Sequence, residues 1–177
     1  LGLQLGKVLE NIRILILLPI YIYQFKSKMM LTDILKSLFS RDLLKLRSEI
    51  EMYTSEDNIW KIEQGISNSA GNLCLHLIGN LNAYVGNVIG GSGYVRNREL
   101  EFSLKGVAKQ DLLSRIDDTI HVVEAVLDGV DEAALAVDFP VLVFDRKTST
   151  GYMLVHLTTH LAYHLGQINY HRRLIDG

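Results

Sequence analysis

From Leu31 onward, apolar residues return at three- and four-residue intervals, and this spacing predicts four long helices. The first runs from about Leu31 to Tyr53, with Leu31, Ile34, Leu35, Leu38, Leu46 and Ile50 on one side and Lys36, Arg41, Lys45 and Glu49 largely opposite. The second starts near Asn68 or Ser69, both good N-caps, and continues to about Ile89. On it His76, Asn80, Ser69 and Asn87 form a narrow polar stripe beside Leu73, Leu77, Leu81, Tyr84 and Val88. The third spans about Gln110 to Leu127 on Leu112, Ile116, Ile120, Val123 and Leu127, and Gly129 closes it. The fourth covers Gly151 to Arg173, with Thr148 to Gly151 supplying its cap.

The connections are uneven. Thr54 to Gly65 is polar and holds Trp60, read as a lid on the bundle end; Gly90 to Gly93 is a helix stop without the Lys-Ser/Thr ending of a phosphate loop. Tyr94 to Lys109 is long enough to cross the end of a bundle, so that the second and third helices run parallel. Val137 to Phe144 is an extended apolar piece suited to a short strand on the bundle edge. The expected fold is all-α, a four-helix bundle with one long crossover between helices two and three.

Residues 1–28 differ from the rest. Lys7, Arg13, Lys26 and Lys28 stand against the single acid Glu10, and Pro19 breaks the apolar run from Ile14 to Tyr23, which is too short to span a bilayer. No small-residue cleavage site follows it. Met29 and Met30 immediately precede the first clean helix, so residues 1–28 are expected to be a non-native or dispensable extension, with a membrane-surface anchor as the alternative. Residues 30–177 form the expected domain.

Composition narrows the function. With 177 residues one core is expected, and a formal charge of −2 without a dense Lys/Arg run gives no footprint for nucleic acid. The lone Cys74 lies in an apolar helical pattern, the setting of a buried reduced thiol. A cytoplasmic setting follows, with no membrane partner expected.

The chemistry gathers on the last helix. At about 100° per residue His156, His160, His164, Gln167 and His171 fall within an arc of roughly 80°. Leu157, Leu161, Leu165 and Ile168 flank this stripe, while Thr158, Thr159, Asn169 and Arg173 take the far arc, read as the solvent face. The histidines are therefore expected to face inward. Imidazoles buried together need hydrogen-bond partners or a cation, and two i, i+4 histidine steps in series favour a metal over a helix satisfied by waters and tyrosines. Leu161 stands where the HExxH zinc motif has its Glu, so a protease of that type is not expected. His76, at the core's edge on the second helix, is a candidate third ligand. His121 falls off the seam of the third helix and reads as a surface residue.

Three segments together, NSAGNLCLHLIGNL in the second helix, RNRELEF after the Gly-rich turn and HLTTHLAYHLGQINYHRR at the end, resemble the DinB-like (YfiT-like) family of metalloenzymes over about Met30 to Asp176. The resemblance implies a four-helix bundle and one divalent ion held by His76, His160 and His164. His156, His171, Gln167 and Asn80 then become supporting or pocket groups. For Arg96, Arg98, Glu101 and Phe102 a rim salt-bridge network is preferred to direct substrate contact.

Three neutral imidazoles leave a coordination position open, as catalytic sites do. Imidazole suits zinc, nickel, iron and copper alike; zinc or nickel is the first expectation. Relatives in the family include thiol-dependent transferases and isomerases, which implies a small-molecule substrate, a low-molecular-weight thiol as co-substrate, and a thiol transferase or hydrolase-like activity on an electrophile. The competing expectations are a non-catalytic metal-binding or stress-response bundle, and a dimerisation module; a homodimer is compatible with all of these readings.

Overall fold

A computed structural model describes residues 30–177, and among these the regular structure is helical. Helix α1 spans Leu31–Glu51, α2 Glu56–Ile59 and α3 Ala70–Leu81, which runs directly into a π-helical segment, Asn82–Ile89. Helix α4 (Arg98–Ser103) lies in the connection to α5 (Lys109–Asp128), and α6 (Glu132–Ala136) precedes α7 (Thr150–Ile175). The expectations for residues 1–28 fall outside the described residues. No helix among the described residues is long and apolar enough to cross a membrane.

Local sequence explains where the site-bearing helices start. Ser69 Oγ accepts from the Asn72 N–H at 3.2 Å and Ser149 Oγ from the Tyr152 N–H at 3.2 Å. Each such cap stabilises its helix by about 1 kcal/mol. Helix α1 packs on α5 and α7, while α3 packs on α4, α5 and α7. Phe39, Leu46, Ile50, Leu77, Leu81, Leu112, Ile116, Met153, Leu157 and Leu161 fill the space between. Burying each such aliphatic or aromatic side chain is worth about 1.5–3 kcal/mol before conformational entropy is counted.

Several faces differ from the expected pattern. On α1, Leu31 and Ile34 are exposed, whereas Glu49 is buried. Its two oxygens accept from Asn169 Nδ2 and Arg172 Nε, each at 2.8 Å, so an acid assigned to solvent instead ties α1 to α7. On α7, Thr158 is buried and satisfies its hydroxyl on the Val155 carbonyl at 2.8 Å. The solvent face is thereby rotated. His156, His160 and His164 are half-buried and Gln167 is exposed, so the stripe lies on the margin of the core rather than inside it.

The connections are also corrected. Residues 94–109 contain α4, and residues 137–144 form no strand, only the single antiparallel bridge Asp138↔Ser149. Phe139 is buried while Val141 and Leu142 stay exposed. Trp60 lies across the first turn of α3, where a β-carbon on Gly71 would sit 2.6 Å from its ring. Only glycine admits that contact.

Candidate metal centre

His76 comes from the middle of α3, and His160 and His164 from successive turns of α7, so two helices must be packed before the three rings meet. One nitrogen from each lies within 4.8 Å of the other two. His76 Nε2 and His160 Nε2 are 3.2 Å apart. Two nitrogens about 2.0–2.1 Å from one tetrahedral zinc would be about 3.4 Å apart, so the spacing suits a shared ion as well as a shared proton.

The tautomers follow from what the other ring nitrogens touch. His76 Nδ1 is 2.9 Å from Glu101 Oε2. Arg96 Nη2 lies 3.2 Å from the same nitrogen but donates at 2.8 Å to Glu101 Oε2, and its Nε donates at 2.6 Å to Oε1. A carboxylate so placed takes the His76 Nδ1–H, leaving Nε2 with its lone pair toward the other rings. Burial alone would raise the Glu101 carboxyl, but the hydrogen bonds from Arg96 and His76 outweigh it and hold the group below its usual range. Glu101 is 6% exposed, and it is this burial that makes the pairing strong.

Gly79 makes room for this carboxylate. A β-carbon there would lie 2.8 Å from the Glu101 carboxyl carbon and closer still to Oε1. Position 79 is three residues from His76 on α3, so one turn of helix both presents the imidazole and leaves the gap its partner fills.

His164 Nδ1 is 2.6 Å from Gln167 Oε1, which fixes Nδ1–H as donor and Nε2 as the free nitrogen. Burial, and then the neighbouring His164, His76 and His156 rings, push His160 down to about 4. His164 is lowered as well, chiefly by burial. Neutral imidazoles are the form that binds metal. His160 Nδ1 and Asn80 Oδ1 are both buried with no hydrogen-bond partner among the described residues. The donor set therefore fits a divalent cation: three imidazoles, two with Nε2 atoms oriented by the bonds at Nδ1 and one held uncharged by burial.

The remaining histidines separate. His156 packs edge-on against Phe144 with ring centroids 4.9 Å apart and stacks on His160 at 6.0 Å. His171 is buried, accepts from the Tyr53 hydroxyl at 2.6 Å and donates Nε2–H to the Lys61 carbonyl at 2.9 Å. Both of its nitrogens are thus used in joining α7 to the end of α1 and the following loop. Arg98 stays exposed, with its guanidinium 6.0 Å from the Phe102 ring centroid. Burial pushes the Cys74 thiol up to about 12. The part of the site that sequence reasoning did not specify is the role of Glu101 as partner of His76; the run RNRELEF was its only signal.

A pocket of about 490 Å³ opens beside His164, between α7 and residues 65–68.

Fold and site define an all-helical protein with a three-histidine cluster close enough to hold one metal ion. The chain belongs to the DUF1572 family, described as proteins of unknown function, whose profile matches residues 31–177. No curated protein matches the sequence.

Proposed function

We propose that the chain is a DinB/YfiT-like four-helix-bundle metalloprotein that holds one divalent ion through His76, His160 and His164 and joins a low-molecular-weight thiol to a small electrophile. The observation that carries this reading is the cluster itself, three imidazoles drawn from two helices with His76 oriented by a buried Glu101–Arg96 pair. Carboxylate-backed histidines are the usual support of metal sites.

A divalent ion at this position supplies Lewis acidity and lowers the pKa of a thiol or water that reaches it. The chain's own residues favour the thiol. Glu101, the carboxylate bonded to the cluster, is committed to Arg96 and His76 and is not free to take a proton from water. Leu161 stands where a general base would follow His160. Cys74 is fully buried with its thiol pushed up to about 12, so the sulfur nucleophile comes from outside the protein. In the transfer the sulfur forms a bond to carbon, the leaving group departs with its bonding pair, and the thiol proton passes to solvent.

Elemental analysis of protein purified without a histidine tag tests the metal, with about one equivalent expected and depletion in His76→Ala, His160→Ala and His164→Ala. Full metal retention in all three variants overturns the ligand assignment. Conjugation assays with several thiols and a generic aromatic electrophile test the activity, and a rate no higher than that of metal-free protein favours a non-catalytic metal-binding bundle.

A further inference from the structure

The pocket beside His164 has an unusual lining for a site expected to meet a polar co-substrate. It takes in Leu73, Leu174, Tyr163 and Tyr170, together with His164 and Gln167, and no Lys, Arg, Asp or Glu side chain contributes to it. His171, at its margin, has both nitrogens engaged, by the Tyr53 hydroxyl and the Lys61 carbonyl. The nearest guanidinium of the metal cluster, Arg96, is spent on Glu101. A carboxylate, phosphate or ammonium entering here would lose water without gaining a counter-charge.

The polar side chains that remain are uncharged, Ser67 and Asn68 on one wall and Gln167 with the tyrosine hydroxyls on the other, and of these Gln167 stands beside the cluster. Gln167 Oε1 accepts from His164 Nδ1–H, which turns the amide NH2 away from that bond, and among the described residues the NH2, on an exposed side chain, meets no acceptor. Tyr163 and Tyr170, which line the pocket, are 64% and 66% exposed. The volume, about 490 Å³, lies within the range of about 300–1,000 Å³ typical of small-molecule sites.

Resting on the metal-dependent reading above, we infer that this pocket binds the electrophile, and that the electrophile is an uncharged, ring-bearing molecule with an acceptor oxygen that takes a hydrogen bond from the Gln167 NH2. The ring packs between Leu73 and the tyrosines, and the acceptor lies beside His164. Gln167 thus serves two partners, fixing the His164 tautomer through Oε1 and polarising the substrate through its NH2.

The test uses three probes of nearly equal size that differ in charge: 4-nitrobenzyl alcohol, 4-nitrobenzoate and 4-nitrobenzylammonium. Binding is followed by amide chemical shifts on the full chain, metal-free and metal-loaded. In the metal-free protein the alcohol is expected to bind at least about fivefold more tightly than either ion, with shifts confined to residues 65–68 and 163–174. Tyr170→Ala weakens it severalfold, and Leu174→Lys, at an exposed position, raises the affinity of the benzoate. Equal or tighter binding of an ion to metal-free wild-type protein, or shifts elsewhere, overturns the inference. Because the readout is taken without metal, it is separable from the metal reading. Neutral-probe binding in a protein that holds no metal sustains the pocket and sinks the metalloenzyme; normal metal content with no neutral-probe binding does the reverse.

Discussion

His76 and Glu101, twenty-five positions apart, meet at 2.9 Å through Nδ1 and Oε2, and Arg96 holds both oxygens of the carboxylate. The imidazole is therefore oriented before any ligand arrives. Glu101→Gln keeps the shape but removes the charge that holds the His76 tautomer. Metal affinity is expected to fall about 10–100-fold, the usual effect of losing such a partner. Gly79→Ala is expected to produce a similar loss by pushing Glu101 off His76. Competition titration against a chromophoric chelator measures both, and unchanged affinity in both variants removes Glu101 from the site.

His171 offers the contrasting case. Tyr53→Phe deletes the hydroxyl that donates to its Nδ1 and leaves a buried acceptor unpaired, a loss of about 1–3 kcal/mol. Thermal unfolding should shift down by several degrees, while metal content stays at the wild-type level. Metal loss in this variant would give His171 a part in the centre.

The metal-free protein is expected to lose stability in mild acid. His160 has a folded pKa of about 4, below the value of about 6.5 in an unfolded chain, so between these limits the unfolded chain binds more protons. The contribution of this group is complete above about pH 6.5 and declines as pH falls toward 4. Thermal scans of metal-free protein from pH 7 to pH 4.5 should show a falling Tm, with a shallower slope in His160→Leu. An identical slope in the variant would assign the acid sensitivity to other groups.

Cys74 should be chemically silent in the fold. It is fully buried and its thiol is pushed up to about 12. Alkylation by iodoacetamide at pH 7.5 is expected to be at least about a hundredfold slower than in denaturant. Rapid labelling of native protein would reopen the case for an internal sulfur nucleophile.

What the sequence disclosed divides along chain distance. Ser69 as a cap and the third helix at about Gln110 to Leu127, observed at Lys109–Asp128, were readable because periodicity and capping are local. The histidine stripe and His76 were readable as candidate ligands from spacing, the choice of His160 and His164 within the stripe came through a resemblance, and the structure brings these three together. Glu49 with Arg172, Tyr53 with His171 and His76 with Glu101 join separate elements, and no local pattern encodes such pairs. The short helices α4 and α6 are too brief to show a period. The wheel of α7 ordered its residues correctly around the axis but did not fix which arc meets water, because a buried Thr158 reads as polar.

The π-helical stretch between Asn82 and Ile89 has a consequence for chain length. Its i→i+5 bonding winds the backbone more widely than an α-helix, so the same residues advance less along the axis. From Gly90 the chain must double back to bring Arg96 and Glu101 level with His76, and residues 91–96 can extend at most about 3.3–3.6 Å each. The wide coil takes up slack that an α-helix would have spent moving away, which shortens the return path by the same amount. The winding of the helix that carries His76 thus eases the return of the Arg96–Glu101 arm to its target.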